Sequence, residues 1–516
     1  MNSNHPVFLD KFRQKQTIAP WLPIGIIVAI AAIVFFYRID DESFWIDELI
    51  SLGDVRDGRG LPPRNLMRPL YYILLSVWVQ FGTSDAWLRS LSVLFGLGAV
   101  VLLYWLGCRI AGKAEGAIAA LLFALSPLVI NHAQEVRMYV LSAFLCIAGS
   151  LALTYALERP QPRAIGAWIL LRWLAMLAVP LNVTLTVADA ALILWIYRKR
   201  PRTYIPFGVA FAVLGALWVP SLLTTLQEID PDSRYARSDH VANRQSPGVA
   251  DLVRLFKFYT VWPFAVQSDA IAANFYKLFT LVLVALPGAA LLQKHRDSRL
   301  FWPLAWFAIP IGEIFLFSQI SLSLWVTRYL LFAAPFAFVL LAAGWTRLWR
   351  QWRIPAVAIA IAYLIAVGGG LHHYYTVDDR TDYRTFVETI ETQEQPGDVV
   401  VWAIQHTRPR LPLDHYYQGS AEIVEREALI EDLDAAAIAT WLDRLPPISS
   451  RLWIAANIIR DNREPLKTAV ERQFNVREYR DLDNLQLFLV TPREDRATPS
   501  DDRLRSSAYG VPGEGF

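Results

Sequence analysis

Cysteine is almost absent from this 516-residue chain. Only Cys108 and Cys146 are present, and both fall in or beside hydrophobic segments, so the sequence supports neither a disulfide framework nor a thiolate metal site. Charge is also scarce: 19% of the residues are charged and 54% are hydrophobic, with a mean hydropathy of +0.31. Soluble proteins of this size are seldom so apolar. The composition therefore predicts a polytopic membrane protein.

The common signatures of soluble enzymes are missing as well. No P-loop, dinucleotide-binding fingerprint, Gly-x-Ser-x-Gly or His-Glu-x-x-His motif occurs in a useful context, which argues against soluble nucleotide chemistry and the common hydrolase mechanisms. The net charge is +2, and Lys and Arg concentrate in short loops rather than on one amphipathic face. This pattern excludes a nucleic-acid-binding surface as the main function.

Hydrophobic runs predict a helical membrane domain over residues 20–371. About eleven runs are long enough to cross a bilayer, near 20–37, 86–107, 115–131, 138–157, 164–180, 183–197, 203–226, 273–292, 300–319, 328–348 and 354–371. Basic residues recur in the loops on one side, which the positive-inside rule assigns to the cytoplasm. Segment 1–19 is then cytoplasmic, and everything after His372 lies outside the plasma (inner) membrane.

Two predicted outer loops, 38–85 and 227–272, are long. Each contains an apolar stretch, Pro69–Phe81 and Val249–Val266, and we expect both stretches to form helices at the membrane interface, where aromatic residues such as Trp262 and Phe264 are favoured.

After residue 371 the composition becomes charged and mixed. Helical patterns at Thr381–Thr392 and Glu425–Arg444 alternate with strand patterns at Asp398–Ile404, Arg451–Ala455 and Gln486–Val490. This alternation predicts a small extracytoplasmic α/β domain over 372–491. The tail, 492–516, is rich in Pro, Ser, Gly, Asp and Arg and is predicted to be disordered.

Two adjacent carboxylates, Asp47 and Glu48, follow the first hydrophobic run, inside the apolar frame of Phe44, Trp45 and Leu49. A carboxylate here can act as a general base toward an acceptor hydroxyl or amine, or it can bind a divalent metal ion that neutralises phosphate. Asp47 is the leading candidate for the base, and Glu48 is expected to assist by metal binding or by positioning the acceptor. The alternative is a solvated loop pair without function.

A second polar cluster, Asn131 to Tyr139, lies between two predicted spans. It follows Ser126-Pro127, which is expected to distort the end of the first of these spans. Arg137 is a natural donor to a phosphate through its planar guanidinium, and Glu135 can orient it; alternatively, both side chains pair with other helices. His132 is better interpreted as a polar cap than as a metal ligand.

Arg328 and Arg68 complete the set of candidate phosphate ligands. Arg328 opens the span 328–348, where an arginine often extends to lipid phosphates without a specific role. Arg68 shares the first outer loop with Asp47, so it ranks higher, although it can also serve as an anchor for the interfacial helix.

These residues occur in an order that resembles the GT-C membrane glycosyltransferases, in the bacterial branch related to protein O-mannosyltransferases and the lipid A aminoarabinose transferase. The matching stretches are Trp45-Ile46-Asp47-Glu48, Arg68-Pro69-Leu70-Tyr71-Tyr72, Ala86-Trp87-Leu88-Arg89-Ser90, Gln134-Glu135-Val136-Arg137-Met138-Tyr139 and Arg328-Tyr329-Leu330. The resemblance covers residues 20–348 well. It implies a GT-C fold and an inverting transfer from a polyprenyl-phosphate sugar, with Asp47 as the base and Tyr71 and Tyr139 in supporting positions.

The chain departs from the family pattern at two places. Arg68 replaces a His or Lys and only one Pro follows it, while Leu181-Asn182-Val183-Thr184 stands where relatives often have Thr-His-Tyr. Metal dependence varies among such enzymes and is left open.

The sequence thus favours an enzyme of the extracytoplasmic face that transfers a sugar from a polyprenyl-phosphate donor to an envelope acceptor, which is a protein, lipid or glycan. A transporter or flippase of lipid-linked sugars is the main alternative, and it predicts polar residues deeper in the spans. Mid-span charge is sparse apart from Arg172, Asp189 and Glu313. A noncatalytic scaffold whose outer domain binds a cell-wall polymer is a third hypothesis.

Overall fold

The structure is a computed structural model. It describes residues 21–56, 63–229, 244–261, 270–292, 298–377, 380–404, 410–426, 435–445, 451–457, 463–482 and 485–493. The predicted cytoplasmic segment 1–19 and nearly all of the predicted tail 492–516 lie outside these residues, as do Trp262 and Phe264.

The chain forms two compact units. The membrane unit has the bounds Met1–Asp41 and Ser51–Asp378, and the C-terminal unit has the bounds Glu42–Ile50 and Asp379–Phe516. The short segment Glu42–Ile50 therefore belongs with the end of the chain, although it stands between two parts of the membrane unit in the sequence.

Helices make up the membrane unit. They are α1 Trp21–Phe36, α2 Ile46–Arg56 (whose first residues belong to the C-terminal unit), α3 Pro63–Leu66, α4 Pro69–Trp78, α5 Asp85–Ile110, α6 Lys113–Ala124, α7 Pro127–Ala133, α8 Tyr139–Glu158, α9 Pro162–Ala178, α10 Thr184–Tyr197, α11 Tyr204–Ile229, α12 Val249–Thr260, α13 Ala270–Leu291, α14 Phe301–Ile320, α15 Ala334–Gln351 and α16 Arg353–Thr376. Short 3-10 turns at Pro180–Val183 and Thr327–Ala333 precede α10 and α15.

The predicted spans correspond to these helices. Within the described residues, eight helices are long and apolar enough to cross a membrane, and a ninth span results if the bent pair α6 and α7 is counted as one. The remaining two predicted spans correspond to α1 and α9, of 16 and 17 residues. The chain is therefore a multi-pass membrane protein with a helical membrane domain, as predicted.

Burial separates the central helices from the peripheral ones. Most residues of α8 and α15 are buried within the protein, whereas α11 and α16 expose many large aliphatic side chains. An exposed apolar helix face is favourable where it meets lipid rather than water. The polar clusters that contain Arg137 and Arg328 lie just before these two central helices, α8 and α15.

A buried ion pair connects four of the membrane helices. Arg172 on α9 binds both carboxylate oxygens of Asp189 on α10 at 2.7 and 3.0 Å, and both residues are fully buried. Nη1 of Arg172 donates to the Cys146 carbonyl oxygen on α8, and Nη2 donates to the Ser150 hydroxyl on the same helix as well as to Asp189. The indoles of Trp168 and Trp306 complete the shell, each donating to Asp189.

This ion pair explains the mid-span charges. Transfer of a charge out of water is tolerated when the charge is paired and its remaining hydrogen bonds are satisfied. Gly149 on α8 permits the close approach, because an added Cβ would lie 2.9 Å from Nη1 of Arg172. Arg172 and Asp189 therefore connect α8, α9, α10 and α14 through hydrogen bonds.

The C-terminal unit contains a five-stranded mixed sheet of order β2-β1-β3-β5-β4. Strands β1 and β2, and β1 and β3, are parallel, whereas β5 is antiparallel to β3 and β4. The strands are β1 Val399–Ala403, β2 Glu422–Glu425, β3 Leu452–Asn457, β4 Phe474–Leu482 and β5 Leu485–Pro492, and the helices are α17 Tyr383–Gln393, α18 Leu411–Tyr416, α19 Ala435–Asp443 and α20 Arg463–Gln473.

The core of this unit explains why the sequence predicted an α/β domain. Val401, Ile454 and Phe488 pack against Ile438 and Leu466 from two helices, so alternating strands and amphipathic helices bury a common apolar layer. The predicted helix at Glu425–Arg444 is described only as Ala435–Asp443, and Glu425 ends strand β2. Strands β2 and β4 and helices α18 and α20 were not predicted.

Replacement of Arg172 is expected to destabilise the bundle. Arg172→Met leaves the Asp189 carboxylate buried without its counter-charge, so the free energy of unfolding should fall by about 3 to 5 kcal/mol. Thermal unfolding in detergent measures the loss as a lower midpoint.

The matched control is Arg163→Met, which removes an exposed arginine from the same helix α9. We expect its midpoint to stay close to that of the wild type. Equal midpoints for the two variants would contradict a stabilising role for the ion pair.

Candidate active site

A broken helix places Arg137 in the membrane unit. Helices α6 and α7 meet at an angle of 62°, because Pro127 cannot continue the hydrogen bonding of α6 and instead begins α7, which Ser126 caps at 3.4 Å from the Val129 amide. Helix α7 ends at Ala133, and residues 134–138 connect it to α8. The single predicted span 115–131 is thus bent at Ser126-Pro127.

Arg137 is buried in this connection. Its Nη1 donates to the Ser51 hydroxyl at 2.9 Å, and its Nη2 lies 3.4 Å from the Tyr139 hydroxyl. The guanidinium carbon also lies 5.7 Å from the centre of the Tyr139 ring. These contacts fix the direction of a cationic fork that suits a phosphate.

Glu135 contacts neighbouring polar side chains. Its carboxylate accepts a hydrogen bond from Asn131 at 3.1 Å and lies 2.8 Å from His132 Nδ1. The carbonyl oxygen of Glu135 accepts hydrogen bonds from the Arg137 amide and from the Ser92 hydroxyl. His132 is therefore a polar partner within this turn, and the orientation of Arg137 by Glu135 stays a prediction.

Arg68 occupies the start of helix α4. The residue before a proline is driven away from helical geometry, and Arg68 accordingly has φ of −143° before Pro69 begins the helix. Its Nε is buried and has no hydrogen-bond partner among the described residues. A buried guanidinium N–H without a partner is costly, so this nitrogen is available to a ligand.

A cavity of about 390 Å³ lies beside Arg68 in the membrane unit. Most of its lining is apolar and comes from helices α11 and α14 and from the turn 179–184. Its polar or charged lining residues are Arg68, Tyr139, Thr184, Thr225, Glu313 and Tyr329. An apolar cavity with a few convergent polar groups is the usual form of a small-molecule site.

Arg328 and Tyr329 lie on the 3-10 turn Thr327–Ala333. The Tyr329 ring faces the Tyr139 ring at 6.1 Å, and the guanidinium of Arg328 lies 5.5 Å from the Tyr329 ring. Helix α12 supports this turn, because the Tyr259 hydroxyl donates to the Leu330 carbonyl oxygen at 2.5 Å. Tyr139 and Tyr329 thus bring Arg68, Arg137 and Arg328 into one neighbourhood.

Tyr71 and Asn182 are buried supports rather than cavity-lining residues. The Tyr71 hydroxyl lies 3.4 Å from the Ser92 hydroxyl, which in turn donates to Glu135. Asn182 donates to the Ser142 hydroxyl and the Ala175 carbonyl oxygen, both at 2.7 Å. Asn182 therefore connects α8 and α9.

Asp47 and Glu48 stand in the first turn of α2, within the C-terminal unit. Glu48 is fully buried; its Oε2 accepts from the Trp45 amide at 3.2 Å and lies 3.3 Å from Arg380 Nη1. Trp45 directly precedes α2 and Glu48 is the third residue of that helix, so this hydrogen bond is one half of a capping box. Asp47 is partly exposed, and negative charge is favourable in a first helical turn.

The described residues do not fit a metal site at this acidic pair. Glu48 is engaged by a guanidinium and a backbone amide, and the described part of the chain contains no group of three or more His, Cys, Asp or Glu side chains that could hold a metal ion. The acidic pair is therefore not assigned a metal ion.

Sequence reasoning missed three of these residues. Ser51 and Arg380 carry no motif of their own, and their partners are 86 and 332 positions away. Glu313 is visible in the sequence as a mid-span carboxylate, but only the fold places it in the cavity.

Solved structures with a similar fold cover nearly the whole chain. ArnT from Cupriavidus metallidurans bound to undecaprenyl phosphate has a TM-score of 0.55 and 14% identity, with 94% of this chain and 100% of that chain covered. The apo state of the same ArnT has a TM-score of 0.54 and 13% identity, with 93% of this chain and 99% of that chain covered. The Archaeoglobus fulgidus oligosaccharyltransferase tethered to an acceptor peptide has a TM-score of 0.50 and 11% identity, with 91% of this chain and 74% of that chain covered.

No family model matches the chain, and no curated protein matches it in sequence. At these identities the likeness concerns the fold. The chain has the GT-C fold of membrane glycosyltransferases.

Proposed function

We propose that the protein is a membrane glycosyltransferase that moves a sugar from a polyprenyl-phosphate donor to an envelope acceptor on the extracytoplasmic face. The observation that carries the proposal is the apolar cavity of the membrane unit with Arg68 at its wall. ArnT, which was solved with undecaprenyl phosphate bound, has the same fold.

The cavity suits both parts of a lipid phosphate. Its apolar lining can bury isoprene units, and the Arg68 Nε can donate to a phosphate oxygen, an interaction that is strong because both groups are charged. Arg137 and Arg328 are proposed as further phosphate ligands, since each contacts a tyrosine that lines the same cavity.

The proposed reaction needs no nucleotide at the site, because the donor carries its own leaving group. Asp47 removes the proton of the acceptor nucleophile, which forms a bond to the anomeric carbon as the bond to the phosphate oxygen breaks. The arginines stabilise the departing polyprenyl phosphate. Attack opposite to the leaving group inverts the anomeric configuration.

Glu48 is proposed as a support for Asp47 and not as a second base. Its carboxylate is buried and held by Arg380 and the Trp45 amide. Such a carboxylate fixes the first turn of α2.

The alternative of a flippase receives less support from the described residues. A route across the bilayer is expected to be lined by mid-span polar side chains, but Arg172 and Asp189 are fully buried and satisfied by each other and their neighbours. Glu313, the third mid-span charge, lines the cavity that is proposed to bind the donor. It is therefore assigned to the donor site rather than to a route across the bilayer.

Asp47→Asn is expected to lower the rate of sugar transfer about 10²- to 10⁴-fold, because loss of a general base typically costs this much. Purified protein in proteoliposomes is supplied with a polyprenyl-phosphate sugar and cell-envelope extract, and released polyprenyl phosphate is measured.

The control for this variant is Asp40→Asn, which changes an exposed aspartate of the same loop. Full activity of a correctly inserted Asp47→Asn protein would remove Asp47 from the mechanism.

Arg68→Gln is expected to raise the donor KM about 10- to 100-fold, because a hydrogen bond to a charged group contributes about 1.5 to 3 kcal/mol. Steady-state kinetics with varied donor concentration separate this effect from a change in kcat.

Arg254→Gln serves as the comparison, since Arg254 is an exposed arginine that pairs with Asp251. An unchanged donor KM in Arg68→Gln would argue that the phosphate does not bind at Arg68.

The proposed orientation is tested by labelling. In a protein lacking Cys108 and Cys146, Ser420→Cys should react with a membrane-impermeant maleimide added to intact spheroplasts, because the C-terminal unit is proposed to be outside. Lys199→Cys, in the predicted basic loop, should react only after lysis. The reverse pattern would invert the topology.

A further inference from the structure

Segment Glu42–Ile50, which carries Asp47, is part of the C-terminal unit even though more than 300 residues separate the two in sequence. It is therefore not a free loop of the membrane domain. Three sets of contacts within the C-terminal unit hold the segment, and they come from residues 380–384 and from the end of helix α18.

The first set of contacts is made by Ser43. Its hydroxyl donates to the Thr381 carbonyl oxygen at 3.0 Å and accepts from the Tyr383 amide at 3.1 Å. Ser43 is buried, so water does not compete strongly for these bonds. The two bonds align the segment with the start of α17.

The second set is made by Phe44. Its amide donates to the Tyr416 hydroxyl at 2.7 Å, and its fully buried ring stacks on the His415 ring at 5.1 Å with an interplanar angle of 15°. Tyr416 is itself flanked by Arg384, whose guanidinium lies 5.8 Å from the tyrosine ring. The tyrosine hydroxyl thus fixes the backbone three residues before Asp47.

The third set is made by Arg380. Its Nε lies 2.9 Å from Glu42 Oε2, and its Nη1 lies 3.3 Å from Glu48 Oε2. One side chain therefore joins the two ends of the stretch that contains Asp47. The guanidinium is mostly buried and Glu48 fully so, which makes the pair sensitive to loss of either partner.

These contacts lie apart from the hydrophobic core of the sheet. That core consists of residues such as Val401, Ile454, Phe488 and Leu466, and none of Ser43, Phe44, Arg380 or Tyr416 belongs to it. Loss of the Tyr416 hydroxyl can therefore loosen the segment without unfolding the α/β unit.

We propose that the C-terminal α/β unit positions the catalytic segment, and that Arg380 and Tyr416 are positioning residues for Asp47. This inference rests on the proposed function in naming Asp47 as the base. A catalytic group displaced by about 1 Å can lose about 10² in rate, so ordering of residues 42–50 is a requirement for turnover rather than for donor binding.

The test compares matched pairs of variants in the full-length protein in proteoliposomes. Tyr416→Phe and Arg380→Gln remove contacts to the segment. Tyr417→Phe and Arg451→Gln are the controls, because the Tyr417 hydroxyl donates to Glu394 and Arg451 pairs with Asp398 in the same unit. Arg380→Lys keeps the positive charge but loses the fork that reaches two carboxylates.

We expect kcat to fall about five- to tenfold in Tyr416→Phe and more than about tenfold in Arg380→Gln, with the donor KM unchanged. Arg380→Lys should recover part of the rate, and both controls should retain the wild-type kcat. A raised donor KM with an unchanged kcat would place these residues in donor binding and overturn the proposal.

Amide hydrogen exchange of residues 43–50 provides a readout that does not require activity. Exchange should accelerate in Tyr416→Phe and Arg380→Gln but not in the controls, while strands β1 and β3 stay protected in all variants. Unaltered exchange of the segment in both variants would contradict the proposal. Equal loss of protection in β1 and β3 would contradict it too, because the contacts would then stabilise the whole unit rather than the segment.

The two measurements also separate this inference from the proposed function. If Asp47→Asn is fully active, the assigned base is wrong, and hydrogen exchange alone decides whether the C-terminal unit orders the segment. If Asp47→Asn is inactive while Tyr416→Phe and Arg380→Gln have wild-type kcat and exchange, the base assignment stands and the positioning role fails.

Discussion

Arginine side chains inside an apolar helical unit must find hydrogen-bond acceptors within the protein, and this constraint separates structural from functional arginines. All three side-chain nitrogens of Arg172 donate to acceptors within the protein, namely Asp189, Ser150 and the Cys146 carbonyl oxygen. Arg68 differs: its buried Nε has no partner in the described part of the chain, and the side chain borders an apolar cavity. In the proposed function, the phosphate of the donor is the missing acceptor and its lipid chain occupies the apolar space.

The same reasoning distinguishes the two acids of the Asp-Glu motif. Glu48 is fully buried and held by Arg380 and the Trp45 amide, whereas Asp47 is partly exposed. Adjacent residues on a helix point in different directions, so one motif can contain a structural carboxylate and a reactive one. This division supports the proposal that Asp47 is the base, while Glu48 and Arg380 order the segment.

Features encoded over short distances in the sequence could be predicted. Long apolar runs gave the helices of the membrane unit, and Ser126-Pro127 marked a distortion that the structure has as a 62° bend. Strand β2 was missed because it is only four residues long and only partly buried, and β4 because its pattern of alternation is weak. The inclusion of Glu42–Ile50 in the C-terminal unit could not be predicted, since hydrogen bonds such as that from Phe44 to Tyr416 span 372 positions and no local pattern encodes them.

The most direct test of the account supplies the wild-type protein in proteoliposomes with a panel of polyprenyl-phosphate sugars and cell-envelope extract, and measures released polyprenyl phosphate together with movement of labelled lipid between leaflets. The account predicts protein-dependent release with at least one donor. Movement of labelled lipid between leaflets, without release from any donor, would contradict it and identify a flippase instead.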